Sequence, residues 1–328
     1  MRLTLPQRNS LRNSRFWRHS RPGCGSHGPS ENEDRCPIKP VNDSDFRARR
    51  FTLEKHDFAQ ASGEYEGPTD LINEDTWKSI VVLSDDVSIR TSDKYGPQLE
   101  QMWEHWNMWS RVVGGVQALT TDPTRCPTAI AACDAGDELQ AATYCALTGY
   151  YRVAFSCLRN VLEQISIATQ LEISRDLRTF TDWRNGEERI RFGWAADMLP
   201  RNSCVGALER HIGATVTDSL FGQTPKGLAR RFFVELSKYT HGAPGFTDAD
   251  SRQSNGPIFL AKTFLDWCVA ALKTYAIALH ELKLAHPQLN DLPWGPPPAT
   301  LDEFRRRVAD QIPSSDRVIF LSIVNFWR

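Results

Sequence analysis

Long apolar runs without ionisable side chains are missing from this chain of 328 residues. No secretory apolar segment stands near its start. The most apolar stretch, residues 257–285, could reach across a bilayer, but it is interrupted by Lys262, Asp266, Lys273 and His280. Ionisable side chains are rare inside membranes, so we expect a buried helix of a cytoplasmic protein with no membrane partner.

Closely paired cysteines are also missing. No two of them have the spacing C-x-x-C; the eight are Cys24, Cys36, Cys126, Cys133, Cys145, Cys157, Cys204 and Cys268. This predicts a reducing compartment without a disulfide framework. One possible ligand set for zinc fits no familiar spacing: His19, Cys24, His27 and Cys36. We therefore expect no metal.

Several catalytic signatures are absent as well. The chain has no G-x-x-x-x-G-K-[ST] loop, no H-E-x-x-H helix and no G-x-S-x-G elbow, and no G-x-G-x-x-G turn follows a predicted strand. These absences exclude the sequence patterns of P-loop enzymes, zinc proteases and dinucleotide-binding domains. We expect no cofactor.

The charge is unevenly distributed. The whole chain carries −1, and its first 30 residues contain six Arg and no acid, so residues 31–328 carry −7. This argues against a broad basic nucleic-acid surface on the folded part, although a local patch stays open. Residues 1–45 are predicted to be a disordered Arg-rich tail. A targeting segment, a functional basic tail and an upstream start codon are alternative explanations for it.

Strand signals are sparse, and the apolar residues recur at helical spacing, so the predicted fold class is all-α, a helical bundle. A Trp-rich helical segment (46–125) precedes a helical domain (126–298) and a C-terminal extension (299–328) with one short helix. Residues 77–89 fit a strand or a helix. Helices are predicted at 99–119, 137–175 with a break near Gly149, 225–240 and 257–285.

Polar side chains follow one side of the 137–175 helix. Arg152 and Arg159 are seven residues apart, which offsets them by only about 20° around the axis. Glu163 lies four residues after Arg159, which favours an ion pair on one turn. The stripe is either a solvated face or a paired network at a functional site. Charged Arg and Glu in so apolar a helix are costly unless paired.

A second signature, LSKYTHG, begins at Leu236. It places His241 at the predicted C-terminus of a helix, followed by Gly242. The helix dipole favours a charged imidazole there, and Gly suits a left-handed cap. His241 is therefore interpreted either as a capping residue or as a general acid/base or anion ligand close to the Arg159–Glu163 pair.

The R-x-x-x-E helix from Arg159 to Glu163, followed by Tyr239-Thr240-His241-Gly242, resembles HEPN-like helical domains of bacteria over about residues 135–285. The resemblance implies an all-α bundle, often dimeric, in toxin–antitoxin or antiviral defence systems. Catalytic members are metal-independent ribonucleases with R-x(4–6)-H on one helix. This chain departs from that pattern, because the nearest Arg upstream of His241 is Arg231.

Two functions follow. The favoured one is a non-catalytic protein that binds RNA or a nucleotide, or acts as an interaction protein, with a homodimer through its helices as an expected assembly. The alternative is a ribonuclease. In it His241 is the acid/base, Arg159 or Arg152 stabilises the phosphorane charge, Glu163 orients the arginine and Tyr239 assists.

Overall fold

Helices make up most of the described part of the chain, and no β-strand occurs in it. The computed structural model describes residues 78–203, 205–207, 219–221, 227–240, 257–291 and 296–327, all within one compact unit, Asp70–Arg328. The helices are α1 (Leu83–Leu119), α2 (Pro127–Leu147), α3 (Tyr151–Ser174), α4 (Leu177–Arg184), α5 (Phe192–Met198), α6 (Leu228–Thr240), α7 (Ala261–Ala285), α8 (Pro298–Gln311) and α9 (Ser314–Asn325). The all-α prediction is confirmed. The tail predicted at 1–45 lies outside the described residues.

The first helix is longer than its sequence pattern suggests. A π-helical turn at Lys78–Val82 leads directly into α1, so this stretch is helical rather than extended. The predicted start at residue 99 is wrong, because α1 runs across Pro97. A proline ring crowds the preceding turn, and Tyr95 accordingly leaves helical geometry (φ −128°, ψ 28°).

The break near Gly149 is confirmed. Gly149 has a φ of +84° between α2 and α3, a conformation that favours glycine. The predicted start of this region, at residue 137, is ten residues too late. Cys126 is extended and Pro127 occupies the first turn of α2, where its missing N–H removes no helical hydrogen bond.

Helix α3 lies at the centre of the bundle and packs against α2, α5, α6 and α7. Helix α1 packs against α2 and α7, and α9 also packs against α7. The short helix predicted after Thr300 is in fact two helices, α8 and α9, which pack against each other. None of the described helices has both the length and the hydropathy that a bilayer span requires.

The polar residues of α7 do not form one continuous face. Lys262 and Asp266 pair in solvent at 2.9 Å. Lys273 pairs with Asp316 of α9 at 2.9 Å and is largely covered. His280 is completely buried. The first two of these residues are exposed and the last two are covered, because α9 packs against the C-terminal half of α7.

Candidate functional site

The packing of α3 against α6 brings the two sequence signatures together. Arg159 of α3 donates from Nε to the Ser237 hydroxyl of α6 at 3.1 Å. Its Nη1 lies 3.0 Å from Glu163 Oε2, so the predicted ion pair is present. The R-x-x-x-E helix and the L-S-x-x-x-H-G helix are therefore neighbours in space.

The Arg159 side chain is held on several sides. Its guanidinium carbon lies 4.6 Å from the centre of the Phe233 ring. Nη1 also donates to Asn160 Oδ1 at 3.4 Å. Only 16% of the Arg159 side chain is exposed. Because its Nε and Nη1 groups already have partners inside the protein, Arg159 braces α3 against α6.

Arg152 occupies a different environment, in the first turn of α3. It is exposed, and its Nε donates to the carbonyl of Tyr239 at 2.9 Å. The Tyr239 ring stacks on Phe155 with centroids 4.2 Å apart. Beside them, the hydroxyls of Ser156 and Thr240 are 3.4 Å apart. Arg152 is thus anchored at one nitrogen while its side chain remains accessible.

Among the predicted site residues, Arg152 meets Tyr239 and Arg159 meets Glu163. His241 lies outside the described residues, so its predicted role as acid/base stays a prediction. The catalytic roles assigned to Arg152, Arg159, Glu163 and Tyr239 also stay predictions. What the described part shows is a braced contact between α3 and the last turn of α6.

A cleft of about 340 Å³ lies between α2, α3 and α4, and sequence reasoning missed it. It is lined by Ala131, Asp134, Asn160, Glu163, Gln164, Phe180, Trp183 and Arg184. Of the Arg159–Glu163 ion pair, Glu163 is the residue that lines this cleft. The volume of the cleft is within the range of roughly 300–1,000 Å³ that is typical of small-molecule sites.

The polar walls of the cleft are rich in acceptors. In the described part of the chain, the buried Gln164 Oε1 atom has no hydrogen-bond partner. Asp134 pairs with Arg184 at 2.9 Å, and both are half-exposed. Asn160 donates to Glu138 at 3.3 Å. A ligand that offers hydrogen-bond donors would complement these walls.

The aromatic wall of the cleft comes from α4. Phe180 is buried, whereas Trp183 is partly exposed, and their rings are 5.9 Å apart at 45°. Asp176 precedes α4 and accepts from the Thr179 backbone N–H at 3.0 Å, which fixes the start of this short helix. The Asp176 cap therefore fixes the start of α4 and, with it, the position of Trp183 at the edge of the cleft.

Apart from the cleft, a cluster of three potential metal ligands lies where the ends of three helices meet. Cys126 precedes α2, Glu172 is in the last turn of α3, and His286 follows α7. One potential ligand atom from each lies within 4.8 Å of the others. Burial raises the pKa of the Cys126 thiol to about 11 and lowers the pKa of His286, so both groups are neutral near pH 7.

No protein-family model, curated protein or solved structure matches this chain. The HEPN resemblance therefore rests on the two short motifs and stays a prediction.

Proposed function

We propose that the protein binds a nucleobase-bearing ligand, a nucleotide or single-stranded RNA, without cleaving it, and that the base occupies the cleft between α2, α3 and α4. The observation that carries this proposal is the combination of an aromatic wall at Trp183 with a buried amide oxygen at Gln164 that lacks a partner among the described residues. A planar ring that bears an amino group complements both.

Stacking supplies most of the expected affinity. Base–aromatic stacking contributes roughly 1–3 kcal/mol per base. The exocyclic amino group of adenine, cytosine or guanine can donate to the buried Gln164 Oε1 atom, whereas uracil offers only its ring N3–H, which projects less far from the ring. Because an unpaired buried acceptor is costly, we expect this hydrogen bond to favour amino-bearing bases over uracil.

The arrangement of the arginines supports binding rather than cleavage. Arg159 is committed to Ser237, Glu163 and the Phe233 ring. Arg152 is accessible and can contact a phosphate, because guanidinium matches phosphate geometry. It precedes Gln164 by twelve residues on α3, or roughly 18 Å at the helical rise. Arg152 and the cleft are therefore too far apart to share one mononucleotide, but a longer RNA strand can reach both.

The test is calorimetric titration of the full chain with the four nucleoside monophosphates and with a short oligoribonucleotide. We expect adenosine, cytidine and guanosine phosphates to bind more tightly than uridine phosphate. Trp183→Ala should weaken binding by roughly 5- to 150-fold, as expected for the loss of about 1–3 kcal/mol of stacking. The matched control is Trp103→Ala, since Trp103 is 62% exposed on α1. Equal binding by wild type and Trp183→Ala would overturn the proposal.

A second pair of measurements separates RNA from a nucleotide and binding from catalysis. If RNA is the ligand, Arg152→Ala weakens oligonucleotide binding and leaves mononucleotide binding unchanged. Incubation of labelled RNA with the wild-type protein in a chelator should return it intact. Cleavage that disappears in Arg152→Ala or His241→Ala would establish the ribonuclease instead. The HEPN resemblance suggests bacterial defence or toxin–antitoxin systems as the setting.

A further inference from the structure

The junction of α2, α3 and α7 combines three kinds of metal ligand in one buried place. Cys126 supplies a thiol, His286 an imidazole and Glu172 a carboxylate, all within 4.8 Å of one another. Cys126 is 3% exposed and His286 is 8% exposed. Thiolate, imidazole and carboxylate are the ligand types that proteins use for zinc.

The backbones that carry these ligands are fixed. The Cys126 carbonyl accepts from Ile130 N at 3.1 Å and so belongs to the first turn of α2. His286 N donates to Leu282 O at 3.0 Å, which ties it to the end of α7. Because each ligand is attached to a helix end, a bound ion needs only side-chain rotation and no movement of the backbone.

Without an ion, the cluster is held by hydrogen bonds among its own side chains. The Cys126 thiol donates to Glu172 Oε2 at 3.2 Å. Thr128 Oγ1 lies 2.6 Å from His286 Nε2 and 3.5 Å from Glu172 Oε2. Thr128 is fully buried and central to the cluster, so its hydroxyl, or a water in its place, is within reach of a fourth ligand position.

We propose that Cys126, Glu172 and His286 bind one zinc-type divalent ion, which clamps the ends of α2, α3 and α7. On binding, the Cys126 S–H bond breaks, the sulfur lone pair forms the bond to the metal and the proton leaves to solvent. The charges of one thiolate and one carboxylate then balance the dication, which suits a buried position. The imidazole is already in the neutral form that ligates. Because the site is buried, its role is structural.

Tetrahedral zinc places its ligands about 2.0–2.3 Å from the ion, so the ligand atoms stand roughly 3.3–3.8 Å apart. The distances in the cluster, up to 4.8 Å, are somewhat wider than this. Rotation of the Glu172 and His286 side chains that moves their ligand atoms by about 1–1.5 Å closes the difference. Thr128 would then exchange its hydrogen bond with His286 for a contact with the metal or its water.

The experiment is titration of the chelator-treated full chain with Co²⁺ and with Zn²⁺. We expect one ion per chain, tetrahedral cobalt absorption with a thiolate-to-cobalt charge-transfer band, and a rise in the melting temperature with Zn²⁺ but not with Mg²⁺. Cys126→Ser should abolish the charge-transfer band. The loss of a direct ligand, as in His286→Gln, should lower affinity by more than the roughly 10- to 100-fold cost of removing an outer partner.

Matched variants keep this result interpretable. Cys133→Ser changes an exposed free cysteine of α2 and should leave the cobalt spectrum intact. Cys24→Ser and Cys36→Ser test whether the N-terminal cysteines bind the ion instead. A spectrum that survives Cys126→Ser, or that disappears in Cys24→Ser, overturns the proposal, as does the absence of any thiolate band in the wild type. If Cys126→Ser fails to fold, His286→Gln tests the same site, and a cobalt affinity equal to that of the wild type in this variant also overturns the proposal.

Discussion

The guanidinium of Arg159 lies 4.6 Å from the centre of the Phe233 ring, and the same ring stacks on Phe192 with centroids 4.1 Å apart. Three elements thus meet at one ring: α3 through the arginine, α5 through Phe192 and α6 through Phe233 itself. Glu163 completes the junction, because its Oε1 accepts from the backbone N–H of Phe192 at 3.4 Å. The Arg159–Glu163 pair, predicted as part of a possible catalytic site, therefore lies at the centre of a junction of three helices.

Replacing Arg159 should therefore cost stability. In Arg159→Ala the charged hydrogen bonds and the ring contact are lost while Glu163 stays partly buried, so we expect a loss of about 2–3 kcal/mol in the free energy of unfolding. Urea unfolding measures it. Arg178→Ala is the control, since Arg178 is 93% exposed and should change stability little. A drop of similar size in both variants would contradict the junction.

Sequence reasoning found what is local in the chain and missed what is not. The Arg159–Glu163 pair follows from four-residue spacing, and the break at Gly149 follows from a residue that tolerates positive φ. The metal cluster could not be predicted in the same way, because Cys126 and Glu172 are 46 residues apart and meet only through helix packing. A contact between residues so far apart in the chain produces no short sequence motif.

The cleft was missed for a related reason. Its acceptors and rings come from α2, α3 and α4, and each residue alone is typical of an amphipathic helix. The early part of α1 was misread through a different effect. Pro97 looks like a helix start, but the chain accommodates it with a kink at Tyr95 inside a continuing helix. Packing of α1 on α2 and α7 stabilises the stretch that propensity alone would end.

Gly149 should not tolerate a side chain. A Cβ atom there would lie 2.5 Å from the backbone nitrogen of Ile258, and the φ of +84° is unfavourable for any L-residue. We expect Gly149→Ala to lower the free energy of unfolding by about 2–4 kcal/mol, from backbone strain plus the clash. Gly186→Ala is the control. Gly186 has a φ of +76° but open space around it, so only the backbone cost of about 1–2 kcal/mol applies. Equal losses in thermal unfolding would show that the Ile258 contact has no effect.

Arg307 connects α8 to α1 and should be sensitive to truncation. It is 5% exposed and pairs with Glu104 and Glu303. Its Nη1 also lies 3.2 Å from His105 Nε2. Glu104 is 53% exposed and Glu303 keeps its ion pair with Arg306, so neither acid is left as a buried, unpaired charge. We therefore expect Arg307→Ala to cost about 1–3 kcal/mol through the hydrogen bonds that it loses. Arg306→Ala, one residue away on the same helix and 60% exposed, should cost less than about 1 kcal/mol. Chemical unfolding of the two variants side by side checks this difference.

Loss of Arg307 should also change how His105 titrates. Burial and the nearby Arg307 charge lower the pKa of His105 to about 3, so the folded protein holds this imidazole neutral while the unfolded chain protonates it near pH 6.5. The unfolded state then binds more protons between these values, and stability falls as the pH drops through this window. A milder substitution, Arg307→Met, removes the charge and should raise the pKa of His105. Proton NMR of the His105 ring against pH measures that shift, and an unchanged pKa would show that burial alone sets it.

Glu281 should make the protein less stable at mildly alkaline pH. It is completely buried, Ser166 donates to its Oε1 at 2.8 Å, and burial raises its pKa from about 4.5 to about 8. Between these values the folded state holds a proton that the unfolded state has lost, so stability falls as the pH rises. Below pH 6.5 the buried His280, whose pKa is lowered to about 3, acts in the opposite direction. The effect of Glu281 is therefore clearest between pH 6.5 and 8, with a slope of up to about 1.4 kcal/mol per pH unit.

Glu281→Gln tests this prediction, because it keeps the shape and the hydrogen bond from Ser166 but cannot ionise. Its free energy of unfolding should stay level between pH 6.5 and 8, and it should exceed that of the wild type at pH 8. Glu188→Gln, at an exposed position, should retain the wild-type slope. Parallel slopes for Glu281→Gln and the wild type would show that Glu281 is already ionised in the folded protein.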